Sequence, residues 1–180
     1  MIRSVIAITL LSLAGLARAA APVASLNVPF TPYAGPGPVG NDGVESNEMQ
    51  WLAESTGTYM STPVQSWLLV WDPVGVKLVS GSIRFDAPIV AVFGSRADLL
   101  SSSAFERVGI GYDYSKLFVG LETDDAAATS FAGDTLSLSW LGANPGDHVR
   151  VLTAVPEPGT WATFAAGLVG IGWLLRRRRT

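Results

Sequence analysis

Leu136-Ser137-Leu138-Ser139-Trp140 alternates apolar and polar residues with a period of two. Successive side chains of a strand point to opposite faces, so this run predicts a strand with one face buried and the other wet. Beyond it, Gly142-Ala143-Asn144-Pro145-Gly146-Asp147 reads as a turn into a second strand, Val149–Thr153. The same grammar recurs toward the N-terminus. Ser66–Trp71 is an apolar run stopped by Asp72-Pro73, with Gly75 completing a turn, and Val76–Phe85 follows with Gly81 marking a bulge. Asp86-Ala87-Pro88 turns into Ile89–Phe93, short enough to be a strand buried on both faces. One short helix is expected around Ala97–Phe105, and Val28–Tyr33 is expected as an edge strand or wrapped arm. Short strands punctuated by Gly, Pro and Asp turns predict an all-β fold, a single antiparallel β-sandwich of jelly-roll-like type.

Both ends of the chain depart from this pattern. Arg3 gives a positive start, Val5–Leu16 is apolar, and Ala17-Arg18-Ala19 has the small-x-small form of a signal-peptidase site. Cleavage after Ala19 is expected, since the alternative at Ala21 places Pro22 directly after the cut. At the other end stand Pro156-Glu157-Pro158, an apolar stretch from Gly159 to Leu175, and Arg176, Arg177, Arg178 and Arg179. That stretch, as a helix, rises about 25 Å, the short end of what spans a bilayer. Trp161 and Trp173 lie near its two ends, where indoles favour interfaces, and the arginines act as a cytoplasmic stop that leaves the domain outside. Ala162, Ala166 and Gly170 form a small-residue stripe of the kind that permits close helix approach. The expected organisation is a signal peptide over residues 1–19, an exported sandwich over 20–154 and a terminal signal over 155–180, with a membrane-spanning helix at 159–175.

The order Pro-Glu-Pro, apolar helix, arginine block at the very terminus resembles the PEP-CTERM sorting signal, the tag read by exosortases in Gram-negative, exopolysaccharide-producing bacteria. The resemblance implies a precursor held in the inner membrane with its domain in the periplasm. It further implies cleavage near Pro156-Glu157-Pro158 by a membrane-embedded transpeptidase, and a mature form at the cell surface or in the extracellular matrix. The two prolines keep the recognised segment extended, and Glu157 offers a charge at the membrane face. Exosortase and signal peptidase are the implied partners, and the stripe at Ala162, Ala166 and Gly170 is a candidate docking face. Within the body, Ser66-Trp67-Leu68-Leu69, Asp72-Pro73, Gly81–Asp86 and Pro145-Gly146-Asp147 are similar to segments of other PEP-CTERM proteins, a likeness of turns and core strands that carries no activity.

Composition narrows the chemistry. Between Ala20 and Val155 there are six basic residues against fourteen Asp and Glu, a formal charge of −8. A surface of that sign repels phosphate backbones, so no nucleic-acid partner is expected. The chain has no cysteine, which excludes thiol catalysis, Cys-bound zinc and iron–sulfur clusters. Gly35-Pro36-Gly37-Pro38-Val39-Gly40 matches G-x-G-x-x-G literally, but two prolines occupy it and no strand–helix context surrounds it, so no dinucleotide cofactor is expected.

His148 is the only histidine, so a Ser-His-Asp triad must use it; no G-x-S-x-G accompanies it, and it reads as a surface or strand-edge residue. Asp113, Glu122, Asp124 and Asp125 share one neighbourhood, and paired carboxylates serve glycosidases, but such residues in exported loops are ordinarily solvated turn formers. Asn41–Glu48 packs oxygen donors around a turn, so Asp42, Glu45 and Glu48 are the candidate ligands for calcium, against a plain Asx-type turn. Trp51, Trp67, Trp71 and Trp140 are either core or stacking platforms for pyranose rings; Trp67 and Trp71 are four apart in a strand and share a face. The expectation is a non-enzymatic surface or matrix protein without a catalytic residue, with a carbohydrate-binding module of the exopolysaccharide, calcium-assisted, as the alternative.

Overall fold

The computed structural model describes residues 19–35, 38–40, 43–155 and 167. Its compact unit runs from Ala19 to Val155. The described residues form strands β1 (Val23–Leu26), β2 (Phe30–Pro32), β3 (Met49–Tyr59), β4 (Thr62–Trp71), β5 (Lys77–Arg84), β6 (Ile89–Phe93), β7 (Ser130–Ala132), β8 (Thr135–Gly142) and β9 (Asp147–Ala154). They make two sheets, ordered β1-β5-β8-β7 and β2-β3-β4-β9-β6. All pairings are antiparallel except β2 with β3. The all-β sandwich is therefore what forms. Its order departs from the two Greek keys of a jelly roll in placing β3–β4 and β7–β8 as hairpins, each within one sheet.

The alternation of Leu136, Leu138 and Trp140 with Ser137 and Ser139 is realised in β8. Leu136, Leu138 and Trp140 are buried in one cluster with Val79 and Ile83 of β5, and with Trp67, Leu69, Trp71, Val149 and Val151 of the facing sheet. Burial of this apolar surface between the sheets is the main favourable term in the fold. β4 is buried on both faces because it sits between β3 and β9 with a second layer outside it. On that outer side Leu68 and Val70 pack with Leu52, Leu99, Tyr114 and Val119. The cover is built by α1 (Arg96–Ser101), a 3₁₀ turn at Ser103–Phe105 and the irregular chain that follows. α1 starts where Ser95 and Asp98 form a reciprocal capping box: Asp98 N–H donates to Ser95 Oγ at 3.1 Å and Ser95 N–H to Asp98 Oδ2 at 3.2 Å.

Gly81 does not mark a bulge. The β5–β8 register runs unbroken through the Gly81–Leu138 pair. The glycine is required instead by close approach of β1, since a Cβ there, at φ +139°, would collide with the Ser25 carbonyl oxygen. Register shifts occur between Ala53 and Thr56 in β3 and between Ile89 and Ala91 in β6. Among the described residues no helix is long and apolar enough to cross a membrane, and the expected spanning segment, residue 167 apart, lies outside them.

Candidate functional site

β9 alternates between the two packed layers. Val149 and Val151 enter the inter-sheet core, and Thr153 on the same face accepts a hydrogen bond from Trp67 Nε1 at 3.0 Å. His148 and Arg150 face the cover. The first residue of the strand, Asp147, pairs with Trp71 at the end of β4 and is 2% exposed. Gly146, at φ +82°, lets the turn before it pass against Asp72, where any Cβ would meet backbone.

Asp147 meets two carboxylates from a short helix, α2 (Thr123–Ala127), whose N-cap is Glu122. Glu122 and Asp125 are three residues apart and therefore lie on one side of the turn. Leu141 N–H of β8 donates to Asp125 Oδ1 at 3.0 Å, which ties α2 to the sheet. Trp140 Nε1 donates to Thr129 Oγ1 at 2.7 Å, and Thr129 Oγ1 donates to the Asp125 carbonyl at 2.7 Å. One oxygen from each of Glu122, Asp125 and Asp147 lies within 4.8 Å of the other two. Asp125 is 8% exposed, and among the described residues no Lys or Arg is paired with any of the three. Asp147 Oδ2 is buried without a hydrogen-bond partner.

Burial, followed by the negative charges of Glu122 and Asp125, a hydrogen bond with Glu122 and the charge of Asp72, pushes the Asp147 carboxyl up to about 8. Burial moves His148 the other way, down to about 4. The two groups therefore give opposite pH dependences. The folded chain keeps a proton on Asp147 that the unfolded chain has lost, so this contribution to stability falls as pH rises toward 8. His148, neutral when folded, contributes stability that is lost as pH falls below about 6.5. Between about pH 6.5 and 8 only the first slope remains, at most about 1.4 kcal/mol per pH unit. In chelator, the melting temperature is expected to fall over that window and Asp147→Asn to flatten the curve. Equal slopes for the two proteins would show that Asp147 is not the titrating group.

His148 is fully buried and not a strand-edge residue. β9 lies between β4 and β6, and the cover closes over its outer face. Its ring stands edge-on to Tyr114 with centroids 6.3 Å apart, and Nδ1 is 3.3 Å from the Gly146 carbonyl oxygen. Trp67, Trp71 and Trp140 are core residues, and Trp51, partly buried, packs on Phe30 and Trp67. Of the acidic neighbourhood, Glu122 and Asp125 converge; Asp124 is exposed on α2, and Asp113 Oδ1 accepts from Ser115 N–H in its own turn. Asp42 lies outside the described residues. Glu45 is exposed, its N–H donating to Asp72 Oδ2 at 3.1 Å, while Glu48 Oε2 accepts from Thr31 Oγ1 at 2.9 Å. Neither joins the carboxylate group. Asp147, which completes it, was legible only as a turn residue.

Ala17 and the sorting, anchor and arginine positions from Pro156 to Ala166 and beyond Gly167 lie outside the described residues. What precedes them is ordered strand: β9 ends at Ala154, and Val155 N–H donates to the Pro63 carbonyl at 2.9 Å. A family model described as the PEP-CTERM protein-sorting motif matches residues 154–179. The chain carries a PEP-CTERM sorting motif. Proteins with this motif are exported and sorted to the cell surface through exosortase in Gram-negative bacteria, and the match marks the chain as an exosortase-targeted protein. No curated protein and no solved structure matches the chain.

Proposed function

We propose that the sandwich is the non-enzymatic cargo of the sorting motif, a cell-surface or matrix protein released from a membrane-held precursor by exosortase cleavage near Pro156-Glu157-Pro158. The observation that carries this reading is the motif match at 154–179, which begins on the last residue of β9. A second feature supports the matching cut at the other end. Ala20 N–H donates to Asp86 Oδ2 at 2.5 Å. After cleavage behind Ala19 that nitrogen becomes an ammonium, and the contact becomes an exposed ion pair worth up to about 1 kcal/mol. The burial of His148 supports a non-enzymatic role, because the only imidazole in the chain is closed off from any substrate. Carbohydrate stacking on Trp67, Trp71 and Trp140 is not adopted, since they are buried, and Trp51, partly buried, packs on Phe30 and Trp67.

Mass spectrometry of both termini of the protein recovered from the cell surface tests this reading. The expected species begins at Ala20 and lacks the arginine block, and the intact precursor accumulates in the membrane of cells without exosortase. A surface-exposed protein that still ends in Thr180 would overturn it.

A further inference from the structure

Three carboxylates drawn together and largely removed from water repel one another, and a fold bears this arrangement only if something compensates it. In this chain the compensation does not come from a basic side chain among the described residues. Two of the three groups are held in place from outside the cluster: Asp125 by the Leu141 amide, and Asp147 by its β9 register opposite Trp71. One oxygen of Asp147 is then left buried with no donor. Oxygens that approach to within 4.8 Å of one another fit around a single ion, because two ligands at about 2.4 Å on opposite sides of calcium are themselves about 4.8 Å apart. The donors are all oxygen, with no imidazole or thiolate, which selects a hard cation over zinc or copper.

We propose that Glu122, Asp125 and Asp147 form a binding site for a hard divalent cation, calcium in particular, that fastens α2 and the start of β9 to the end of the sandwich. Glu122, the exposed member, supplies the entry side, and Asp125 and Asp147 supply the floor. Carboxylates bind a cation as anions, so calcium binding is expected to strengthen with pH. With three protein ligands and water completing the sphere, affinity is expected in the range of extracellular calcium modules, on the order of 10⁻⁴–10⁻³ M. This is a different place from the Asp42, Glu45 and Glu48 turn, and it does not depend on how the chain is sorted.

The test uses the full chain purified in detergent and stripped with chelator. Terbium, a calcium mimic, should show luminescence excited through the nearby Trp140 and quenched by calcium with half-effect in that millimolar to submillimolar range. About 10 mM calcium should raise the melting temperature by several degrees, and magnesium by less. Asp147→Asn and Asp125→Asn each keep the size of the side chain and replace a carboxyl that can bind a cation as an anion with a neutral amide. In chelator both are expected to be at least as stable as the parent, and both should lose calcium affinity at least about tenfold. The proposal is overturned if calcium leaves the parent unchanged while pH alone shifts its melting, which would mean that the carboxylates share a proton. It is equally overturned if the calcium response survives in both variants, which would place the ion elsewhere, or if the variants fail to fold in chelator, which would mean that the carboxylates hold the fold without a cation.

Discussion

Arg150→Met is expected to destabilise the chain by about 3–5 kcal/mol, among the largest single-residue effects available to it. Arg150 is fully buried under the cover. Its Nε and Nη2 donate to Glu54 Oε2 and Oε1 at 2.7 and 2.9 Å, a bidentate pair, and Nη1 donates to the Leu99 carbonyl at 3.0 Å and Ser102 Oγ at 2.6 Å. Glu106 Oε1 lies 3.8 Å from Nη2. Burial alone would lower the Arg150 pKa, but the hydrogen bonds and charge of Glu54 outweigh it and hold it above its ordinary value. Removal of the guanidinium leaves the Glu54 carboxylate, itself without exposed side-chain surface, with only hydroxyl partners, Ser66 Oγ at 2.6 Å and Tyr112. It also strips the end of α1 of two bonds to β9, so the cover loses its polar link to the sheet. The penalty comes mainly from the stranded charge and not from the value of the pair. Glu54→Leu combined with Arg150→Met is therefore expected to recover much of the loss. Urea unfolding of the two singles and the double would measure this, and a double variant as unstable as the sum of the singles would contradict the argument.

Trp67→Ala is expected to cost about 3–5 kcal/mol and to lower the melting temperature by about 10 °C or more. Trp67 lies in the inter-sheet core, with its ring edge-on to Trp51 at 5.8 Å and tilted on Phe85 at 6.1 Å. Alanine would remove the bulk that fills the space between the sheets and take from the Thr153 hydroxyl the donor that Nε1 supplies, leaving it only its own long bond to the Gln65 carbonyl at 3.5 Å. The surroundings cannot collapse to refill the space, because β4 is pinned by ladders on both sides and by the cover behind it. Trp67→Phe keeps most of the ring and should cost less than half as much. An alanine variant within about 1 kcal/mol of the parent would mean that the residue is a surface platform after all, and would reopen the carbohydrate reading.

The strands that the sequence announced are those whose pattern is local. Alternation at Leu136–Trp140 became β8, and apolar runs closed by Asp-Pro or Gly turns became β4, β5, β6 and β9 with ends shifted by a few residues. β3 was not announced, because Gln50, Glu54, Ser55, Thr56 and Thr58 dilute its apolar signal and the bulge after Ala53 breaks its period. Glu54 is buried only because Arg150 comes to it from the far end of the chain. α2 is one turn long and too short to show a helical period. Half of the carboxylate cluster was visible as an acidic neighbourhood. Its third member was not, since Asp147 reaches the others only when β9 pairs with β4.

The sequence by itself determined the class of fold and the sorting motif, because both are written in contiguous residues: period-two strands between turn formers, and a Pro-Glu-Pro, apolar, arginine segment that matches the motif at 154–179. The tertiary structure alone decided which polar groups are buried and who their partners are. It turned His148 inward, made Trp67, Trp71 and Trp140 part of the core, joined Arg150 to Glu54 and gathered three carboxylates at one end of the sandwich. The reason is physical: burial and charge pairing depend on distances between segments remote in sequence, and those distances exist only once the two sheets have closed on each other.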